Sequence, residues 1–223
     1  MRKPLTVIAF GAHPDDVEIY MLGTLMKYQA EGCNVYYVVA TYGEKGSNYT
    51  NSDKSLKEIR INEALAAASY IGVEPIFLGF NDGGIIYDQE SYVKVQSIIE
   101  KIKPDVVITH YTHDYHGDHR KLSQIVLDAA GPIPVFFCDT AMGIGFEPLY
   151  YVDITPYMKK KTQAILEHTS QISIKNIDLL NEYLEVQPRF RGAQCGDINI
   201  KYAEAYCIYP RVKWLRAYDL LPI

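Results

Sequence analysis

Short apolar runs alternate with stretches of helical period over the first two-thirds of the chain. Leu5-Thr6-Val7-Ile8-Ala9-Phe10, Asn34 to Ala40, Ile76 to Leu78, Val106 to Thr109 and Val135 to Cys138 each read as a strand. Between them, Asp16 to Ala30 carries apolar residues at Val17, Met21, Leu22, Leu25 and Met26, which predicts one helix ended by Gly32. Ser55 to Ile71, stopped by Gly72, Tyr92 to Ile102, stopped by Lys103-Pro104, and Arg120 to Ala130 predict three more. Thr41 to Ser52 is a loop rich in Gly, Asn and Ser. This alternation predicts an α/β fold, a doubly wound, mostly parallel sheet with helices on both faces. Beyond Met142 the pattern weakens. Tyr151 to Ile154 reads as a strand, Pro156 to His168 as a helix and Asn176 to Leu184 as helical. Gln187 to Asp197 reads as a loop or hairpin, and Tyr202 to Tyr209 as mixed. This tail is expected to cover and shape a pocket.

The strand exits carry the chemistry. Gly11-Ala12-His13-Pro14-Asp15-Asp16 follows the first strand, and Pro14 suits the first position of the helix it opens. Open α/β sheets bind ligands at such exits. A histidine and a carboxylate three residues apart can share a metal, leaving the other acidic residue free as a base. Acidic residues in a first helical turn also complement the helix dipole, so this turn alone reads equally well as a capped helix without chemistry. The second exit weighs against that. His110, His113, His116 and His119, four of the six histidines, lie within ten positions just after Val106 to Thr109. Two exits of one parallel sheet can face each other across one crevice.

Composition narrows the function without naming it. The 223 residues fit one α/β domain, and a net charge of −5 offers no basic patch for nucleic acid. No segment approaches about 18 uninterrupted apolar residues, so no membrane span is expected. The N-terminal apolar run resembles a short signal peptide, but its removal would discard the His13 turn, so it is read as the first strand of a cytoplasmic protein. Cys33, Cys138, Cys195 and Cys207 lack metal-knuckle spacing and read as free thiols. A dinucleotide site would need G-x-G-x-x-G at the first turn; two carboxylates stand there instead and would repel a pyrophosphate.

Ala12-His13-Pro14-Asp15-Asp16-Val17-Glu18 together with His116-Gly117-Asp118-His119 resembles the LmbE/PIG-L family of zinc-dependent N-deacetylases. Arg60-Ile61-Asn62-Glu63-Ala64-Leu65 is similar to the family's R-x-x-E-A helix, and His168-Thr169-Ser170-Gln171 and Gly196 to Ala205 resemble weaker patterns. The resemblance implies one deacetylase domain over 1–223, with a Rossmann-like core at 1–140 and a substrate-shaping part at 141–223. It implies His13, Asp16 and His119 as zinc ligands with a position open for water. Iron could replace zinc in such a set. Asp15 would be the general base. His116 would stabilise the oxyanion or donate a proton, with Asp118 holding its ring and charge state. Gly117 replaces the family's proline and loosens that turn. His110 and His113 carry no family role and read as loop residues.

Family members remove acetyl groups from N-acetylglucosamine joined to malate, inositol, a lipid-linked inositol, an antibiotic or a second sugar. The implied partner is therefore a small-molecule N-acetylglucosaminide, and a homo-oligomer fits the family. Arg60 is the implied substrate-binding residue; Lys45, Arg189 and Arg191 read as solvated surface charges. Tyr42, Tyr49 and Tyr115 are candidate sugar-stacking platforms, although most of the 19 tyrosines read as ordinary core and surface residues. Two rival readings stand beside the deacetylase: a zinc amidase of the same fold acting on a thiol conjugate or antibiotic intermediate, and a non-catalytic metal or sugar binder. The spare carboxylate Asp15 weighs against the binder.

Overall fold

A computed structural model describes residues 4–46, 55–172, 177–209 and 220–223. Tyr49 and the end of the 41–52 loop lie outside them. Five strands, β1 (Thr6–Gly11), β2 (Asn34–Thr41), β3 (Ile76–Phe80), β4 (Val106–Thr109) and β5 (Val135–Cys138), pair in parallel in the order β3-β2-β1-β4-β5. Two more extend the sheet past β5: β7 (Ala203–Ile208) runs antiparallel to β5, and β6 (Tyr150–Asp153) pairs antiparallel with β7 at the edge. The mostly parallel sheet expected from the sequence is therefore present, with an antiparallel C-terminal edge.

Alternation along each strand decides which helices cover which face. Val7 and Ala9 of β1 pack with helices α1 (Asp16–Tyr20), α2 (Leu22–Ala30), α3 (Leu56–Ser69) and α6 (Met158–Ile165). Ile8 and Phe10 face α4 (Gln89–Ile102) and α5 (Gly117–Ala129) on the other side. Every β1 residue from Val7 to Phe10 is fully buried, which is why the strand reads as a continuous apolar run. Among the described residues no helix is long and apolar enough to cross a membrane.

Four expectations are corrected. The helix expected over Asp16 to Ala30 breaks at Met21 (φ −136°, ψ −16°), and Pro14 lies ahead of the helix, which starts at Asp16. The break has a tertiary cause. Glu204 of β7 accepts the backbone N–H groups of Gly23 at 2.9 Å and Thr24 at 2.8 Å, capping α2 from the far end of the chain. Most of Gln187 to Asp197 is helix, not loop: α7 (Ile177–Gln194) runs through Pro188 to Gln194, and only 195–197 lie beyond it. Arg191 is not a surface charge either. It is buried and bonds both oxygens of Asp139 from Nε at 2.5 Å and Nη2 at 3.0 Å.

Lys161 is likewise buried, with Nζ 2.6 Å from Glu204 Oε1. Removing one member of such a pair leaves a buried charge uncompensated. Lys161→Met is expected to cost about 3–5 kcal/mol in urea unfolding, with partial recovery in Lys161→Met/Glu204→Gln.

Candidate active site

The β1 exit is tightly built. A Cβ at Gly11 would meet Asp16 Cβ and Val17 Cγ2, each at 3.0 Å, so any side chain there would crowd the turn and push on Asp16. Asp15 holds φ 107°, ψ −27°, a left-handed conformation that a non-glycine residue rarely adopts and that tends to mark functional turns. His13 donates its backbone N–H to Asp16 Oδ2 at 2.7 Å, which fixes the carboxylate beside the ring.

The β4 exit supplies the facing wall. His116 caps α5: its Nδ1 accepts the backbone N–H of Asp118 at 3.3 Å, and its own N–H goes to Asp114 Oδ1 at 2.8 Å. The neutral ring therefore carries its proton on Nε2. Burial and the neighbouring His119 and His13 lower its pKa. The sequence expectation for Asp118 is corrected at this point. Only its backbone N–H reaches His116; its carboxylate lies 3.3 Å from His13 Nε2 and accepts the N–H groups of Gly83 at 2.7 Å and Ile85 at 3.3 Å.

All seven expected site residues gather at these exits. Asp16 stands at the centre, 3.3 Å from His13 Nδ1, 3.3 Å from His119 Nε2 and 3.2 Å from His110 Nε2. His110 lies in the connection after β4, as expected, but it is fully buried and lies flat on His119, ring centroids 3.7 Å apart. Its position directly after a wholly buried strand was the available signal. His113 is exposed, as expected of a loop residue. Asp82, at the β3 exit, lies 3.3 Å from His13 Nε2, and Asp114 lies 3.2 Å from His119 Nδ1. Neither belonged to a recognisable motif.

Ligand atoms on one tetrahedral ion with bonds of about 2.1 Å stand about 3.4 Å apart. The contacts of Asp16 with His13, His119 and His110, at 3.2–3.3 Å, match that spacing. Among the described residues, three groups of side chains bring their ligand atoms within 4.8 Å of one another: His13, His116 and His119; Asp16, His110 and His119; and His13, Asp82 and Asp118. Asp16 therefore bridges the expected set rather than closing with His13 and His119 as one group. Nitrogen and carboxylate donors suit Zn²⁺ or Fe²⁺. The electrostatics agree with a cation. Burial alone lowers the pKa of His13, yet Asp118, Asp16 and Asp82 outweigh it and raise it to about 12. Burial likewise opposes Asp16 and Asp114 at His119, whose pKa rises to about 9. His110, by burial and by the charge on His119, falls to about 4 and stays neutral.

Asp15 differs from these carboxylates in having an arginine for its partner. Arg60 Nη2 is 3.0 Å from Asp15 Oδ2 and also bonds Pro14 O, while Nη1 donates to Gly43 O at 3.1 Å. Gly43 (φ +65°) makes room, because a Cβ there would sit 2.2 Å from Arg60 Nη1. Burial raises the Asp15 pKa to about 6 against the pull of Arg60. One turn along α3, Glu63 accepts from Ser170 N at 2.6 Å, Ser170 Oγ at 2.7 Å and Thr169 Oγ1 at 2.9 Å. That clamp sets His168 beside buried Glu18, 3.6 Å away. Helix α3 thus fixes the β1 turn with Arg60 and the 168–170 segment with Glu63.

The chain is 26% identical to a probable N-acetyl-α-D-glucosaminyl L-malate deacetylase 2 of Bacillus anthracis, over 82% of this chain and 88% of that one. Its fold matches the N,N'-diacetylchitobiose deacetylase of Pyrococcus horikoshii with TM-score 0.79 and 26% identity, over 92% of this chain and 84% of that one. A 4-carboxy-2-hydroxymuconate hydratase from Pseudomonas putida matches at TM-score 0.79 and 23% identity, over 93% and 98%, which shows a shared fold alone. Residues 8–130, more than half of the chain and all of both strand-exit motifs, match the family described as PIG-L, GlcNAc-PI de-N-acetylase, and the chain belongs to that family of deacetylases.

Proposed function

We propose that the chain removes the acetyl group from an N-acetylglucosamine unit of a small molecule, using a divalent metal held by His13, Asp16 and His119. The observation that carries this reading is Asp15. Asp16, Asp82, Asp114 and Asp118 each face an imidazole, whereas Asp15 faces Arg60 at the rim of the same cluster. The named relatives act on a glucosaminyl malate and on diacetylchitobiose. They share the N-acetylglucosamine unit, and that unit is what we assign.

A zinc or ferrous ion held by His13, Asp16 and His119 would supply Lewis acidity toward water and the amide carbonyl. Asp15 Oδ2 is engaged by Arg60, so Oδ1 accepts the proton of the attacking water. His116 donates Nε2–H to the carbonyl oxygen as negative charge develops there. The proton on Asp15 or that on His116 then goes to the departing amine. Asp82 and Asp118 hold the His13 ring from the side away from Asp16. The whole chain acts as one domain, with 1–140 carrying the chemistry and 141–223 shaping the pocket. Its four cysteines are free, which suits a reducing compartment, and we assign the reaction to the cytoplasm.

Acetate release from N-acetylglucosaminyl malate and N,N'-diacetylchitobiose tests the reading, with metal-loaded and chelator-stripped protein run side by side. Stripping is expected to lower the rate at least about a hundredfold, and re-addition of Zn²⁺ or Fe²⁺ to restore it. No release from either compound by protein with metal demonstrably bound would refute it.

A further inference from the structure

Beside Tyr20 and Tyr115 lies a cavity of about 200 Å³ that the chemistry assigned above does not use. Its walls come from both parts of the chain: α1 and the β4 exit on one side, α6, α7 and β7 on the other. Tyr20 and Tyr115 belong to both the cavity and the reacting centre. Each lines the cavity, and each sets its ring edge-on to His119, at centroid distances of 6.5 and 6.0 Å. Arg60, Asp82 and Asp118 approach the cluster from elsewhere, through Asp15 and His13. None of these three lines the cavity. The reacting centre therefore has two flanks, one polar and one where Tyr20 and Tyr115 stand between His119 and the cavity.

The cavity wall contains four charged side chains, but they neutralise one another. Arg191 takes both oxygens of Asp139 and also bonds Gln194, and Glu204 accepts from Lys161, Gly23, Thr24 and Tyr206. A sugar or an anion entering there would find no unmatched charge to meet it and would lose its own hydration. Buried Ile165 and Leu184 complete the wall with hydrocarbon. A space of this size exceeds the cavity of about 150 Å³ known to hold benzene in another protein. It has room for a chain of four to six carbons.

We propose that this cavity is an acyl subsite, and that the enzyme cleaves N-butyryl and N-hexanoyl glucosaminides as well as N-acetyl ones. The inference rests on the deacetylase reading and on the sugar lying on the Arg60 and Asp82 flank. The bond chemistry is unchanged by chain length. The water oxygen bonds to the carbonyl carbon, the C–N bond breaks, and both water protons end on nitrogen, giving a carboxylate and an ammonium group. The chain beyond the carbonyl carbon would pass Tyr20 and Tyr115 into the cavity. Each methylene buried on the way contributes up to about a fourfold gain in kcat/KM.

The test compares N-acetyl-, N-butyryl- and N-hexanoyl-glucosaminyl malate by release of primary amine from the metal-loaded enzyme. The N-butyryl compound is expected to match or exceed the N-acetyl compound in kcat/KM. Ile165→Trp, and independently Leu184→Trp, should lower the hexanoyl-to-acetyl ratio at least tenfold; the ratio is read within one protein, so a loss of folded material cancels. Cleavage of the N-acetyl compound with the N-butyryl compound more than tenfold slower would overturn the subsite and leave the deacetylase intact. An unchanged ratio in both tryptophan variants would also overturn it. Failure to cleave any of the three with metal bound would instead sink the deacetylase reading and the subsite with it.

Discussion

Asp15→Asn is expected to lower kcat about a thousandfold while leaving metal content at the wild-type level, measured by single-turnover acetate release and by metal analysis of the same sample. The expectation follows from what Asp15 does not touch. Its ion-pair partner is Arg60, and no imidazole of the cluster lies against it, so the neutral amide removes a proton acceptor and no metal ligand. Asparagine also tolerates the left-handed backbone at this position, so the turn should survive. A pH profile sharpens the test. Burial raises the Asp15 pKa to about 6, and the base must be ionised to work, so activity should fall as pH drops through that value. A bound cation favours the carboxylate, which can only move this acid limb lower. Stability should run the other way. A carboxyl whose folded pKa lies above its unfolded one destabilises the native state above its unfolded pKa, increasingly so up to the folded value. At pH 7 the asparagine variant should therefore unfold at a temperature no lower than wild type. Loss of metal together with activity would refute the role of base.

The parts of this molecule legible from the chain are those where one short segment meets one physical demand. The parallel strands read clearly because Val7 to Phe10, Val106 to Thr109 and Val135 to Cys138 are buried along their whole length and must be apolar throughout. The two strand exits read clearly because His13, Asp15 and Asp16, and then His116, Asp118 and His119, crowd reactive groups into a few positions each. What stayed hidden depends on groups distant in sequence. Nothing near Met21 announces a helix break, because the carboxylate that caps α2 belongs to Glu204. Nothing near Arg191 announces burial, because its partner Asp139 closes a different strand. Asp82 stands alone in a glycine-flanked turn and becomes a neighbour of His13 only when β3 and β1 are brought into one sheet. The family resemblance implies that the carboxylate of Asp118 holds the His116 ring. Helical geometry turns it instead toward the N–H groups of Gly83 and Ile85.

Asp16→Asn should give the opposite pattern to its neighbour: apparent metal affinity weaker by at least about a hundredfold, with turnover lost in proportion to the lost metal and recovered in part at high metal concentration. Among the described residues, Asp16 is the one carboxylate that faces three imidazoles, those of His13, His110 and His119. An amide in its place can still accept the His13 N–H, so the backbone turn is retained while the charge is removed. The charge matters twice. It would supply an oxygen ligand, and it is the main favourable influence on the protonated form of His119, whose burial acts against any charge. Three imidazoles around a neutral amide have less to offer a dication than three around a carboxylate. Isothermal titration with Zn²⁺ on metal-free protein reads this directly, and circular dichroism of the same sample verifies the fold. Undiminished affinity would assign the ion to His13, His116 and His119, the all-histidine group that also closes within 4.8 Å. In that case His116 would be occupied as a ligand and unable to donate Nε2–H to the oxyanion, so a single titration decides both the ligand set and whether that donor exists.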